Sequence, residues 1–560
     1  MTTDSARIER TSMLKANFRG NQFTLSLTLG QDNSSWGHRD LQSIILLSMK
    51  STVDTSVFYF LFRLQYSADR ARRSSKQNKS IQLTQLDEYL LFDLGIFICR
   101  EVPGCASSSP NLSPLTINMQ LTLPSGFGPN SAAILNEFKR KHPHVRFLRF
   151  QWQDYSGVLR GRVMLIDTVI AQIAKGTPFK ATGLAICCSV TNNLAPFTPL
   201  DGQYWLVPNW STLHPTASKT NASVMCALDY TLPGSPASKD FCPRHVLNKV
   251  LDQARAGWGL DFLVGFEVEF VVMKSNQQTG TIDRCSEGWG LFSISGLRDP
   301  VYQHVEECVM KLEELGVDIQ AIHTEGQRGQ YEFALGPKPP MEAVDQLVLV
   351  HSYLKDIFAQ NGYIVTMMPK PVAAESLATG QHTHLSLQPP RPDLEESFLA
   401  GILQRLPELC SFCLPQDISY QRLLPFIGGC DSVCWGTEAR KSPIRKIEPS
   451  RWEIRNIDAM SNMYLTLGAI IGAGLCGLAG HEPLLWPDIM NPANKDVSFG
   501  KPLPKDVKTA ISILEQDQFG LADVLGRPIL DRYVAMKQFE LSKLSQLDTE
   551  KVRQLFIELF

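Results

Sequence analysis

The stretch FLVGFEVEFVVMK, Phe262 to Lys274, constrains this chain more than any other part of it. Its Val and Phe content reads as a strand in an apolar setting. Yet it carries Glu267 and Glu269, and residues two apart on a strand point to the same face. Two like charges on one face of an apolar strand are costly unless something neutralises them. The fold has to bring a counter-charge to this strand.

Other segments repeat the pattern. HTEGQRGQYEF carries Glu325 and Glu332 with Gly329 between them, ATGQHTHLSL carries His382, His384 and Ser386 at strand spacing, and RWEIR alternates Arg451, Glu453 and Arg455. Taken singly, each has an ordinary explanation: a solvated strand edge, a satisfied histidine pair, a surface charge ladder. Taken together they supply five Glu and one His in largely apolar strands. Oxygen-rich ligation of that kind suits Mg²⁺ or Mn²⁺ rather than structural zinc. Nearby arginines suit phosphate or carboxylate ligands. Divalent metals with arginines make up the constellation of phosphoryl transfer from a nucleotide. The sequence has no P-loop and no kinase-type glycine-rich loop, so another nucleotide fold is required.

Composition sets the outer bounds. The chain has 560 residues, is 44% hydrophobic and 20% charged, and carries a net charge of −2. That is globular, long enough for two to four domains, and without the basic field that nucleic acid or a membrane surface would select. Thirteen scattered cysteines, an odd number, fit a reducing compartment better than a disulfide framework. The opening MTTDSARIER lacks the basic and apolar regions of a secretory signal, so the expected location is cytoplasmic. MYLTLGAIIGAGLCGLA, Met463 to Ala479, is uncharged but short of the ~20 residues a spanning helix needs. It reads as a buried core helix, and no membrane partner is expected.

Residues 1–130 show no sustained periodicity. They include a basic run, Asp69 to Ser80, read as a solvated loop, and a linker-like segment, Val102 to Leu115. From Ser131 the pattern is legible. SAAILNEFKRKHP predicts a helix, and VRFLRFQWQDYSGVLRGRVM predicts two strands joined by a turn at Asp154–Gly157. Further strands follow at GQYWLVPNWSTL and ASVMCALDY. CPRHVLNKVLDQARAGWG predicts a helix with Pro243 early and Gly257 as its stop. VYQHVEECVMKLEELG and EAVDQLVLVHSYLKDIFAQNG predict helices ending at Gly316 and Asn361-Gly362. Alternating strands and helices make this half a mixed layered structure.

The order and spacing of these segments resemble the glutamine synthetase family over roughly Ala132 to the C-terminus. GFEVEF, EGQRGQYE, TGQHTHLSL, SYQRLLP, RKSPIR and RWEIRNIDAMSNMYL resemble its catalytic domain, and DYSGVLRGR resembles the end of its small domain. The resemblance implies an α+β protein. After an extension (1–130) comes a β-grasp domain (131–236), then a catalytic domain (237–560) built as a β-sheet funnel flanked by helices. It implies ATP as co-substrate and two Mg²⁺ or Mn²⁺ ions per site. Glu269, Glu325 and Glu332 would hold one ion, and Glu267, His382 and Glu453 the other. Arg440 and Arg445, joined by Arg451, would handle ATP phosphates, with His384 and Ser386 near the nucleotide. Arg422 and Arg455 would face the acid substrate. Asp154 would bind and deprotonate ammonium in a neighbouring subunit's funnel, which implies a homo-oligomeric ring with active sites between subunits. The implied reaction is ATP-dependent formation of a γ-glutamyl phosphate, then attack by ammonia or another amine.

Two departures stand out. The family's Asn-Gly, which holds the amino-acid end of glutamate, is here Leu377-Ala378, and Leu377 donates no side-chain hydrogen bond. The flap glutamate of PGYEAP becomes Gly428 in PFIGGC, weakening the expected grip on ammonium and leaving room for a larger amine. A second expectation therefore stands beside the ligase: a catalytically weak or inactive scaffold or developmental regulator that keeps the fold. Cys410-x2-Cys413 and Cys430-x3-Cys434 have zinc-like spacing, but they flank the SYQRLLP segment, where the family has no metal, and are read as ordinary thiols.

Overall fold

The computed structural model describes residues 129–183, 186–198, 203–230, 238–286, 288–423, 431–494 and 500–560, together with six strand backbones earlier in the chain. The basic run 69–80, most of the linker 102–115, Gly428 and Cys430 lie outside the described residues. The chain divides into two compact units. In the first, Met1–Ser125 with Leu232–Pro236, the strands Thr11–Arg19, Gln22–Thr28, Leu41–Lys50, Val57–Tyr66, Phe97–Ile98 and Pro114–Met119 form one sheet.

The second unit, Gly126–Thr231 with Ala237–Phe560, opens with the expected helix, Pro129–Lys141. The predicted hairpin follows as Phe147–Gln153 and Leu159–Leu165, antiparallel in register. Along its first strand Leu148, Phe150 and Trp152 are buried while their neighbours are not, as a half-covered sheet requires. The turn needs Gly157: its φ is +81°, and a Cβ there would lie 2.3 Å from the carbonyl oxygen of Met460. Asn221–Tyr230, Gln203–Pro208, Phe179–Thr182 and the short His214–Pro215 complete a mixed six-stranded sheet, with Asn221–Tyr230 parallel to Phe147–Gln153.

The helix Pro243–Trp258 starts at its proline as expected but runs past Gly257. The stop is Gly259, whose φ of 64° is the left-handed cap conformation that closes helices. Asp261–Asn276, a strand of 16 residues, follows and becomes the centre of a nine-stranded sheet. Gln330–Leu335 and then Ile319–Thr324 pair on one side of it. On the other side lie Thr383–Gln388, Arg451–Ile454, Ile444–Glu448 and Trp435–Thr437 in order. The central strand's two faces divide cleanly. Phe270 packs with Tyr331, Phe333 and Phe358 on one of them, each buried ring contributing roughly 1.5–3 kcal/mol. Glu267 and Glu269 occupy the other.

Tyr302–Glu314 and Pro340–Gln360 form at the helical periodicities read above, Pro392–Cys413 adds a further helix, and Pro340–Gln360 packs on the central strand. Met463–Ala479 is buried along almost its whole length, as expected of a core helix. Its glycines allow close approach to Pro392–Cys413: a Cβ on Gly477 would lie 2.2 Å from the backbone oxygen of Ser397. No helix among the described residues is long and apolar enough to cross a membrane.

Candidate functional site

Strand pairing explains why residues scattered between Gly265 and Glu453 meet. Antiparallel register sets Glu269 opposite Glu332 and Glu332 opposite His323, a row running across three strands. A second row runs Gly265, His384, Glu453, Arg445. Glu267 lies between the rows on the same face of the central strand.

Glu267 is gripped by two imidazoles. His382 Nδ1 lies 2.8 Å from its Oε2 and His384 Nε2 lies 3.1 Å from its Oε1. Burial opposes ionisation of Glu267, but the hydrogen bonds from His382 and His384 outweigh it and hold the carboxyl below its ordinary range. His382 Nδ1 also lies 3.5 Å from Glu453 Oε1 and 4.0 Å from Glu269 Oε1. Glu453 is fully buried, and Arg445 Nη1 donates to its Oε2 at 3.0 Å while Arg455 Nη1 donates to its Oε1. Arg445 also bonds Glu438.

Glu269 is buried, and its Oε2 accepts from Gln330 Nε2 at 2.8 Å. Arg422, 2% exposed, donates through Nη1 to the carbonyl of Ile457 at 2.6 Å. Gly380 makes this convergence possible: a Cβ there would lie 2.6 Å from Arg422 Nη2, 2.7 Å from Glu269 Oε1 and 3.1 Å from His382 Nε2. Burial pushes Glu332 up to about 10, with Glu267, Glu269, Glu325 and Glu453 adding to the effect. Five carboxylates within electrostatic reach of one another form a site whose natural complement is cationic.

Among the described residues two groups have metal-ligand spacing, each offering atoms within 4.8 Å of one another: Glu267, His384 and Glu453, and His323, Glu325 and Glu332. The oxygen-rich donor set fits Mg²⁺ or Mn²⁺. Both groups differ from the sets expected from sequence. In the first, His384 stands directly opposite Glu453 on the paired strand, where His382 was expected. In the second, His323 stands where Glu269 was expected. The signal for His323 was present in the sequence: His323 and Glu325 alternate in AIHTEG just as Glu267 and Glu269 do.

The remaining expected residues divide. Ser386 is half-buried on the strand facing Arg451. Arg451 turns to Glu448, 3.0 Å away on the surface, and not to Glu453. Arg440 is exposed on the turn before Ile444–Glu448. Leu377 lies against Gly326, beside Glu325: a Cβ on Gly326 would sit 2.6 Å from Leu377 Cδ1.

Asp154 sits at the hairpin turn between Phe147–Gln153 and Leu159–Leu165. Its carboxylate is fully buried within its own chain, where Oδ1 accepts from the amides of Ser156 and Val158 and Oδ2 from Arg160 Nε at 2.7 Å. Burial pushes it up to about 7 against the pull of Arg160. In this arrangement it closes its own turn. Arg160, six residues on along the hairpin, was missed in the sequence because it reads as a surface charge. Cys410 and Cys413 are buried free thiols of a core helix, and neither metal-ligand group contains a cysteine.

Against known proteins, the family model described as "Glutamine synthetase, catalytic domain" matches residues 240–554. The chain is 30% identical over 443 residues to Protein fluG of Emericella nidulans, a match covering 77% of this chain and 50% of that protein. It thus spans about half the length of that relative. It is 25% identical over 476 residues to Type-1 glutamine synthetase 1 of Dictyostelium discoideum, covering 77% and 93% of the two chains. Among solved structures, a GmaS/ADP complex superimposes with a TM-score of 0.63 at 22% identity, covering 75% of this chain and 98% of that one.

Proposed function

The chain belongs to the glutamine synthetase family, and from that premise we propose that it is an ATP-dependent carbon–nitrogen ligase. It joins glutamate or a related acid to ammonia or another amine through an acyl phosphate. The observation that carries this reading is the convergence of Glu267, Glu269, Glu325, Glu332 and Glu453 with three imidazoles and two arginines on one face of a sheet. A scaffold has no use for such a burden of buried like charge.

Glu267, His382, His384 and Glu453 are the groups we assign to one divalent ion, and Glu269, Glu325 and Glu332 to the other. When bound, such ions supply Lewis-acid charge against the phosphoryl oxygens. Arg445, held at Glu453, faces the charge that develops on the transferring group, and Arg440 extends that field from the exposed turn. Arg451 and Ser386 lie on the nucleotide side with His384. Arg422 and Arg455 orient the acid's carboxylates. Fixing these guanidiniums through backbone carbonyls and Glu453 removes much of the reorganisation the reaction would otherwise require. Leu377 presents an apolar side chain where the family has an amide, which supports a shifted acid or amine preference.

We divide the chain at 1–130, 131–236 and 237–560. The small sheet ending at Tyr230 and the helix starting at Pro243 support the second boundary. The free thiols favour the cytoplasm, and the family favours a ring of identical subunits. The test is phosphate release from ATP with Mg²⁺, glutamate and a panel of ammonium, alkylamines and polyamines. No turnover with any pair, together with no metal-dependent ATP binding, sinks the enzyme reading.

A further inference from the structure

We propose that His323 is itself a metal ligand, giving the site at Glu325 and Glu332 an imidazole nitrogen and tuning it toward Mn²⁺ over Mg²⁺. This rests on the reading above that the sheet face binds divalent ions. His323 Nε2 lies 3.2 Å from Glu325 Oε2 and 3.5 Å from Glu332 Oε1. The three side chains form a group whose ligand atoms all lie within 4.8 Å of one another. Glu269 stands opposite Glu332 on the central strand, so His323 adds a nitrogen to the carboxylate oxygens assigned above.

The ring is also held in place by a loop under strain. Phe292 stacks on His323 with centroids 4.5 Å apart and planes at 20°. Leu291 and Phe292 both have positive φ, 54° and 61°, which bulky residues rarely adopt. Burial does not put them there, since Phe292 is 67% exposed. Hydrogen bonds do: Leu291 N donates to the carbonyl of Glu325 at 2.9 Å, and Phe292 N to that of Thr324 at 3.0 Å. Gly290 lets the loop come this close, because a Cβ there would lie 2.1 Å from the oxygen of Glu325. The strained loop is therefore fastened to the segment that carries His323 and Glu325, and it stacks on the His323 ring. Strain kept at an exposed position, where it buries nothing, marks a positional requirement. A neutral imidazole favours Mn²⁺ over Mg²⁺, which prefers oxygen and retains its waters.

The full chain, stripped with EDTA, is titrated with Mn²⁺ and with Mg²⁺ at pH 8 by calorimetry, and bound Mn²⁺ is examined by pulsed EPR for coordinated nitrogen. His323→Gln is expected to lose ~10-fold or more in Mn²⁺ affinity, to change Mg²⁺ affinity by less than about 3-fold, and to show one coordinated nitrogen fewer. Unfolding curves in EDTA report whether the variant folds. If it does not, Phe292→Leu, which keeps the cover but breaks the stack, carries the same test through its selective loss of Mn²⁺ affinity. If His323→Gln folds and binds both metals like the wild type with the same nitrogen count, while Glu332→Gln abolishes the site, the proposal falls and the metal reading stands. If Glu332→Gln and Glu325→Gln also leave binding intact, both fall.

Discussion

Replacing Glu332 by Gln should stabilise the metal-free protein and remove its response to metal, two effects of opposite sign from one substitution. In the metal-free native state, burial and then four neighbouring carboxylates keep Glu332 protonated at pH 7, whereas its ordinary value is 4.5. Between pH 4.5 and 7 the native chain therefore holds one proton more than the unfolded chain. Stability falls as pH rises through that window, by about 3 kcal/mol at pH 7. The figure depends only on the native carboxyl remaining protonated at pH 7. Glu332→Gln keeps the shape and has no proton to hold. In EDTA at pH 7 it should be more stable than the wild type by about 3 kcal/mol, and the gap should close near pH 4.5. With Mg²⁺ or Mn²⁺ at 100-fold over its dissociation constant, the wild type should gain about 2.7 kcal/mol per site, and the variant should lose the share from the Glu325–Glu332 site. Urea unfolding with and without metal at pH 4.5, 7 and 8.5 measures both. A variant less stable than the wild type in EDTA, with an undiminished metal-dependent gain, would refute the reasoning.

Other outcomes follow from single contacts. Leu377→Asn restores a side-chain donor beside Glu325-Gly326 and should lower KM for glutamate about 10-fold, the worth of a hydrogen bond to a charged group; an unchanged KM means the acid's amino-acid end lies elsewhere. Glu408 is 1% exposed, neither of its carboxylate oxygens has a partner among the described residues, and burial, then Asp517, push it up to about 7. Its native state keeps the proton above pH 4.5, so stability should fall between pH 4.5 and 7 by about 3 kcal/mol. Glu408→Gln should flatten that slope in urea titrations at pH 5 and 8. Gly477→Ala forces a Cβ onto the backbone of the packed helix and should cost about 1–3 kcal/mol, read as a lowered urea midpoint with no change in metal affinity.

The elements of the second unit were legible because their periodicities are strong. The hairpin at Asp154–Gly157, the helices ending at Gly316 and Gly362 and the buried glycine-rich helix all form where the sequence places them. The helix stop at Gly259 was harder, because two glycines lie two residues apart and only backbone conformation distinguishes the cap. Much of the candidate site was legible for the same reason that made the central strand conspicuous: carboxylates at period two in apolar strands have few uses. What periodicity alone does not carry is cross-strand register. Register sets His323 beside Glu332 and His384 opposite Glu453, and it joins residues far apart in sequence. Asp154 shows the other gap. Its turn reads plainly, but that Arg160 returns along the hairpin to bury the carboxylate depends on packing.

The central claim, transfer of a phosphoryl group from ATP to a carboxylate before the amine arrives, is tested most directly by isotope transfer. Glutamate labelled with ¹⁸O in its side-chain carboxylate is turned over with ATP, Mg²⁺ or Mn²⁺ and an accepted amine, and the released phosphate is weighed by mass spectrometry. The account predicts one ¹⁸O in each phosphate formed. Unlabelled phosphate released alongside ADP, or no metal-dependent ADP formation with any acid and amine, would contradict it.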